Sequence, residues 1–392
     1  MKTVLTFLLL TVCVTLFAED VSVKPAGEGT EESPYLFDRL ENFFWLRQQT
    51  SEMVQSVPVY CKQIKDIDAS ATQQGGDYAW SDINFSQNNI FVYDGQGYTI
   101  YGLEPNEKGA LFGTGYMQLK NIRIQGAEGI KTCALAKNLY SDKNKNGYFE
   151  NCHIKGLLVG TPALAENVSG SAIKIEGCVV EANIEQLQGS GALVKLFRIF
   201  GDSFIKNNCF KGKIKTTKTV VSGMICSLMF RSNDAQVTIE DCYSSFDVAI
   251  VPKDHCHFAG LIYEVLSNGT ATNGMVNIER CYVSGTISGA LTVNNKAFIW
   301  GTDDQNSTVD VKDCYYNESI NLPDDYAIAK NDEEMKKRAT FENWDFEDVW
   351  DIDEGEGTPY LRCELPEPRL IIALLLLSFL KNKSTINFVR RK

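Results

Sequence analysis

The sequence predicts an all-β chain folded as a right-handed parallel β-helix, a solenoid with a short helical cap at each end. Three observations lead there. First, one phrase recurs: Phe149-Glu-Asn-Cys152, Ile175-Glu-Gly-Cys178, Ile205-Lys-Asn-Asn208, Ile239-Glu-Asp-Cys242, Ile278-Glu-Arg-Cys281 and Val311-Lys-Asp-Cys314, heralded by Leu119-Lys-Asn-Ile122. Its last residues are spaced 30, 26, 30, 34, 39 and 33 apart, the range in which each unit of a solenoid covers its neighbour's core. Second, aligned on that last residue, the copies form columns. Three residues earlier the column is wholly apolar, and two residues later it reads Ile124, Ile154, Val180, Phe210, Ser244, Val283 and Tyr316. Alternation of period two on both sides of a polar dipeptide describes two short strands meeting at a corner with the same side buried each time. Third, small residues followed by paired aliphatics recur between these phrases, as in Gly191-Ala-Leu-Val194, Ser222-Gly-Met-Ile225 and Ala259-Gly-Leu-Ile262. Each turn therefore holds at least two strands, and right-handed crossovers are strongly favoured for parallel connections.

In chain order, residues 1–18 read as a secretory signal: Lys2, an apolar run from Leu5 to Phe17, then the small Ala18. Residues 19–33 are a Gly/Pro/Glu-rich lead-in. Residues 34–90 form an N-terminal cap, in which Leu36, Phe37, Leu40, Phe43, Phe44 and Leu46 recur at helical spacing and would cover the apolar end of the first rung. Residues 91–322 hold the β-helix, roughly eight rungs by repeat count. Residues 323–366 form a C-terminal cap, with a short helix capped by Asp332 that has Glu333 and Glu334 in its first turn and Lys336, Lys337 and Arg338 in its last, as a helix dipole prefers. The tail, 367–392, contains eleven apolar residues from Leu370 to Leu380 followed by basic ones. That run falls short of the roughly 20 residues a span requires, so the tail can associate with a membrane but is not expected to span it.

The chain has 392 residues, 44% hydrophobic, with net charge −12. That balance argues against nucleic acid as a partner, because a phosphate footprint requires clustered Lys and Arg. Export would place the protein outside the cell or on the extracellular face of its surface, where Asn84, Asn167, Asn268, Asn306, Asn317 and Asn382 match the glycosylation pattern. Twelve Cys include Cys13 of the signal, leaving an odd eleven.

The sharpest candidate feature is a structural ladder of Cys152, Cys178, Asn208, Cys242, Cys281 and Cys314. In-register side chains on stacked parallel strands point the same way, which favours buried thiols over rung-to-rung disulfides. The next residues, Tyr243, Tyr282 and Tyr315, form an outward column, a candidate binding strip combining contact area with a polar tip. Glu150, Glu176, Glu240 and Glu279, two before the ladder, make a carboxylate column; a solvated charged stripe is the ordinary reading, against Ca²⁺ binding or acid/base catalysis. Asp254-His255-Cys256-His257 concentrates metal-ligand types, but alternation leaves two ligands on a side, short of a closed zinc site. No catalytic, cofactor or metal residues are expected.

Over about residues 27 to 362 the chain resembles the GLUG-motif β-helix proteins, secreted or surface-displayed solenoids described as adhesin-like, with a signature toward each end. The first runs through Gly27-Glu-Gly-Thr30, Pro34-Tyr-Leu36, Asp66-Ile-Asp68, Trp80 and Asp94-Gly-Gln-Gly-Tyr-Thr-Ile100; the second through Phe341, Trp344-Asp-Phe346, Val349-Trp-Asp-Ile-Asp353 and Pro359-Tyr-Leu361. Within the repeats, the family's Gly-Leu-Val-Gly phrase survives cleanly only as Leu157-Leu-Val-Gly160. The resemblance implies a β-helix and brings no catalytic residues. The expected function is that of a non-enzymatic secreted or cell-surface binding protein, adhesin-like, presenting a rigid β-helix face to a glycan or protein surface ligand. The alternative is a polysaccharide lyase or glycoside hydrolase on the same fold, which fold alone does not decide.

Overall fold

The computed structural model describes residues 21–50, 57–85, 89–106, 109–185, 189–216, 220–250, 257–268, 271–289, 295–302 and 306–365. The signal-like start, the Leu370 to Leu380 run and Asp254-His255-Cys256 lie outside the described residues. No described helix is long and apolar enough to cross a membrane.

The chain is all-β and solenoid-like, its strands paired in parallel one repeat apart except for the antiparallel pair Trp350–Asp351 and Tyr360–Leu361. One turn consists of Ala165–Gly170, Lys174–Glu176 and Val179–Glu185, and these pair with Val194–Ile199, Ser203–Lys206 and Cys209–Thr216 of the next. Three sides thus run the length of the stack. The first two belong to one 16-stranded sheet because Ala110–Lys120 is long enough to turn the corner, pairing early with Ala134–Ser141 and late with Tyr148–Glu150. The third side is a ten-stranded sheet, longer than the eight or so rungs expected. The excess lies in Ile67–Asp68, Thr99–Tyr101 and Ile328–Lys330, which pair in register without carrying the repeated phrase.

The corner between second and third sides explains the phrase. Asn121, Asn151, Gly177, Asn207, Asp241, Arg280 and Asp313 all have φ between 50 and 66°, the left-handed region that Gly, Asn and Asp visit most readily. The ladder residue follows, turned inward. Its neighbours three before, Leu119, Phe149, Ile175, Ile205, Ile239 and Ile278, stack in register and are buried. The exception, Arg280, is held by a bidentate pair from Nε (2.9 Å) and Nη2 (3.2 Å) to Asp241 one rung back.

At the N-terminal end the helix Leu40–Gln49 covers the first rung as expected, with Phe43 and Phe44 packed on Trp80. Its start is fixed by Asn42, whose Oδ1 accepts from the Asp38 and Arg39 amides and whose Nδ2 donates to Val23 O. The far end differs from expectation. Asn331, rather than Asp332, caps the short helix Asp332–Met335. The last rung's edge is met instead by Asp324, whose Oδ2 accepts from the Phe298 amide at 2.6 Å and the Ile299 amide at 3.3 Å. Residues 341–365 do not close the end: they run back along the outside of the third side. The reason is an apolar surface already waiting there, described next.

Candidate functional site

The tyrosine column does point away from the core of the stack, as its parity requires, but it is not a free strip. Tyr243 and Tyr282 are 1% exposed and Tyr315 5%. With Val179 and Cys209 they make a second apolar cluster, roofed by Phe341, Trp344, Phe346, Trp350 and Leu361. Tyr243 and Tyr282 stack at 4.7 Å, and the Trp350 ring lies 5.9 and 6.0 Å from them. Both hydroxyls are bonded to the covering segment: Tyr282 donates to Pro359 O at 2.6 Å and Tyr243 to Glu364 at 2.8 Å. The binding strip expected from the sequence is therefore a buried seam, because leaving so large an aromatic surface in water costs more than ordering the segment that covers it.

The ladder residues are where the alignment puts them. All six are buried, and Asn208, Cys242, Cys281 and Cys314 each accept from the backbone amide of the ladder residue one rung back. The Asn208 amide donates to Cys242 Sγ (3.4 Å), Cys242 to Cys281 Sγ (3.4 Å) and Cys281 to Cys314 Sγ (3.3 Å). The thiols in turn donate to carbonyls two residues back, as from Cys242 to Glu240 O at 3.1 Å. Asn208 performs both roles, accepting from the Cys178 amide at 2.9 Å and donating to Ile175 O at 2.8 Å.

His153 follows Cys152 but faces the opposite side, so the two do not form a nucleophile–base pair. Burial, and secondarily Arg123, depress its imidazole pKa to about 4, while Glu181 opposes the shift. With an unfolded value near 6.5, the unfolded chain takes up the proton first as pH falls. Neutral His153 thus contributes stability that is complete above about pH 6.5 and is lost as pH drops toward 4. His153→Gln should remove that part of the acid sensitivity, visible as a flatter plot of denaturation midpoint against pH over this window. Of the His-rich segment only His257 is described, and its ring lies 5.3 Å from that of Trp300. No group of three or more metal-ligating side chains occurs among the described residues.

Two matches to the glycosylation pattern are occupied structurally. Asn317 is 6% exposed, its Oδ1 accepting from the Ser319 amide and its Nδ2 donating to Asp332. Asn167 Nδ2 donates to Asn138 Oδ1 at 2.6 Å in a stack of amides on the first side.

The carboxylate column is a charge-interleaved stripe. In register it runs Asp94, Lys120, Glu150, Glu176, Lys206, Glu240, Glu279 and Lys312. Lys174 joins Glu150 (2.8 Å) to Glu176 (2.6 Å), and Arg280 joins Glu240 (3.3 Å) to Glu279 (2.9 Å). Partial burial works against the Lys174 charge, but hydrogen bonds to the two carboxylates outweigh it and raise its pKa.

What the sequence reading missed is the neighbouring column, four residues before the ladder: Gln118, Tyr148, Lys174, Phe204 and Thr238, in register on the outer surface of the second side. Phe204 is 56% exposed. Since Lys174 leans sideways to its carboxylates, a slot opens between Tyr148 and Phe204. It forms a groove of about 580 Å³ bordered by Glu150, Glu176, Lys206 and Glu240. The alignment contained this column; its signal was an aromatic pair flanking an aliphatic-stemmed cation at a position whose parity faces water.

The stack and its groove define a solenoid of parallel strands with an aromatic-lined, charge-balanced outer surface. In structure it is similar to the crystal structure of "a putative immunoglobulin A1 protease from Bacteroides ovatus", with a TM-score of 0.50 and 17% identity over 88% of this chain and 96% of that one. The likeness is one of fold, parallel β-helix-like. No family model and no curated protein matches the chain.

Proposed function

We propose that this is an exported, non-enzymatic binding protein, adhesin-like in the manner of the GLUG-motif proteins it resembles, built as a right-handed parallel β-helix. It grips an extended polymer along the groove of Tyr148, Lys174 and Phe204. The observation that supports this reading is Phe204, a large ring left 56% exposed on a surface whose other outward positions are mostly polar. An aromatic face beside satisfied charges suits contact with a ligand having both apolar and hydroxylic or amide surfaces.

The test is an array of glycans and matrix proteins probed with the purified protein and with Phe204→Ala. Loss of about tenfold in affinity, on the order of 1.4 kcal/mol, is the expected outcome for one aromatic contact. Unchanged binding would sink the groove as the site. The name of the structural neighbour, and the carboxylates of the groove, prompt a cleaving alternative. Sustained, protein-dependent release of new ends from a bound polysaccharide or protein would replace the binding reading with that one.

A further inference from the structure

The repeat distance of the groove narrows the ligand class; the inference rests on the groove reading just given. Tyr148 stands opposite Lys174 and Lys174 opposite Phe204, so the two rings occupy one register position two strands apart. At roughly 4.8 Å between strands, the rings recur at roughly 9.6 Å along the stack. Between them lies the methylene stem of Lys174, its ammonium drawn aside to Glu150 and Glu176. The groove thus offers, in order, an aromatic face, an aliphatic floor and an aromatic face, flanked by carboxylate oxygens with spare acceptor capacity.

Three polymer classes can be compared with this pattern. An extended polypeptide places side chains on one edge every two residues, roughly 6.7 Å, which drifts out of step with rings roughly 9.6 Å apart. A polyanion meets Glu150, Glu176 and Glu240, while the two lysines at the groove, Lys174 and Lys206, are already engaged by carboxylates. An extended glycan with equatorial linkages flips each sugar relative to the last, and its two-sugar repeat matches the spacing of the rings. Its sugars carry flat C–H faces for the aromatic rings and neutral hydroxyls that donate to carboxylates without a charge to be balanced.

We propose that the groove binds a neutral, extended, equatorially linked glycan lying along the axis of the stack. One sugar sits on Tyr148 and the next but one on Phe204; the intervening sugar lies over the Lys174 stem with its hydroxyls toward Glu150 and Glu176.

The experiment is titration of the whole protein with neutral β-1,4-linked oligosaccharides of two to six sugars. Heparin and an unrelated extended peptide serve as the other arms. A trisaccharide spans both rings and a disaccharide only one, so affinity should rise at least tenfold between two and three sugars. Phe204→Ala and Tyr148→Ala should each remove that step, and Lys174→Met, which keeps the stem, should retain it within a few-fold. All three side chains lie at the surface, and unchanged circular dichroism and thermal midpoints would certify the fold. A flat length series, or a step untouched by either aromatic substitution, overturns the proposal. If heparin or the peptide binds instead and Phe204→Ala abolishes that binding, the neutral-glycan assignment fails while the groove stands. If no binding depends on Phe204, both fail.

Discussion

Trp350→Ala should destabilise the protein by about 3–5 kcal/mol, the usual cost of deleting a buried large aromatic. Trp350 is fully buried, its ring touches both Tyr243 and Tyr282, and its indole N–H donates to Asp241 Oδ1 at 3.0 Å. The substitution therefore opens a cavity over the tyrosine seam and removes one of the donors around a carboxylate that is only 2% exposed. Chemical denaturation monitored by tyrosine fluorescence and by far-ultraviolet circular dichroism checks it. The expected pattern is a lower midpoint together with stronger binding of a hydrophobic dye in the native baseline, since the seam becomes accessible. A loss below about 1 kcal/mol would mean that residues 341–365 do not depend on this contact.

The second large effect is at Asn208. Asn208→Leu keeps similar bulk but strands the Cys178 amide in the core, costing about 1–3 kcal/mol, and removes the side-chain donor to the Ile175 carbonyl. Asn208→Cys should be far milder, because thiols fill this position at other rungs, where Cys242, Cys281 and Cys314 each accept from the amide of the preceding ladder residue and donate to nearby carbonyls. The comparison isolates hydrogen bonding from packing. Equal destabilisation by Leu and Cys, read from denaturant midpoints, would refute the view of the ladder as a set of corner acceptors.

These residues show which features could be read from the sequence. The polar dipeptide before each ladder residue announced a corner, since Asn, Asp and Gly share tolerance for left-handed backbone, and the flanking alternation told which side chains turn inward. Periodicity of this kind reports parity only. It placed Tyr243, Tyr282 and Tyr315 on the outer surface of their strands, correctly, yet carries no information about a distant segment that covers them. Residues 341–365 have no period, so nothing in their spacing said whether they would sit on the end of the stack or along its flank. The clue was compositional: Phe341, Trp344, Phe346 and Trp350 are too many large rings for a short cap to bury alone. The groove was overlooked for the opposite reason. Its column is regular in position but mixed in chemistry, Gln118, Tyr148, Lys174, Phe204 and Thr238, so it does not repeat by residue type.

The covering segment has a mechanical consequence. Its end reaches back to where Cys363 meets Asn207 O and Glu364 pairs with Lys211, six strands along the ten of the third sheet. Leu365 therefore stands beside the middle of the rod's flank. A load applied through Leu365 would act crosswise on the rod and would first reach the Glu364 contacts to Lys211 and Tyr243, then the Tyr282 and Trp350 seam behind them. The strand ladders would be spared the pull until that seam had parted, so the seam would serve as a sacrificial joint between the rod and anything hauling on that end.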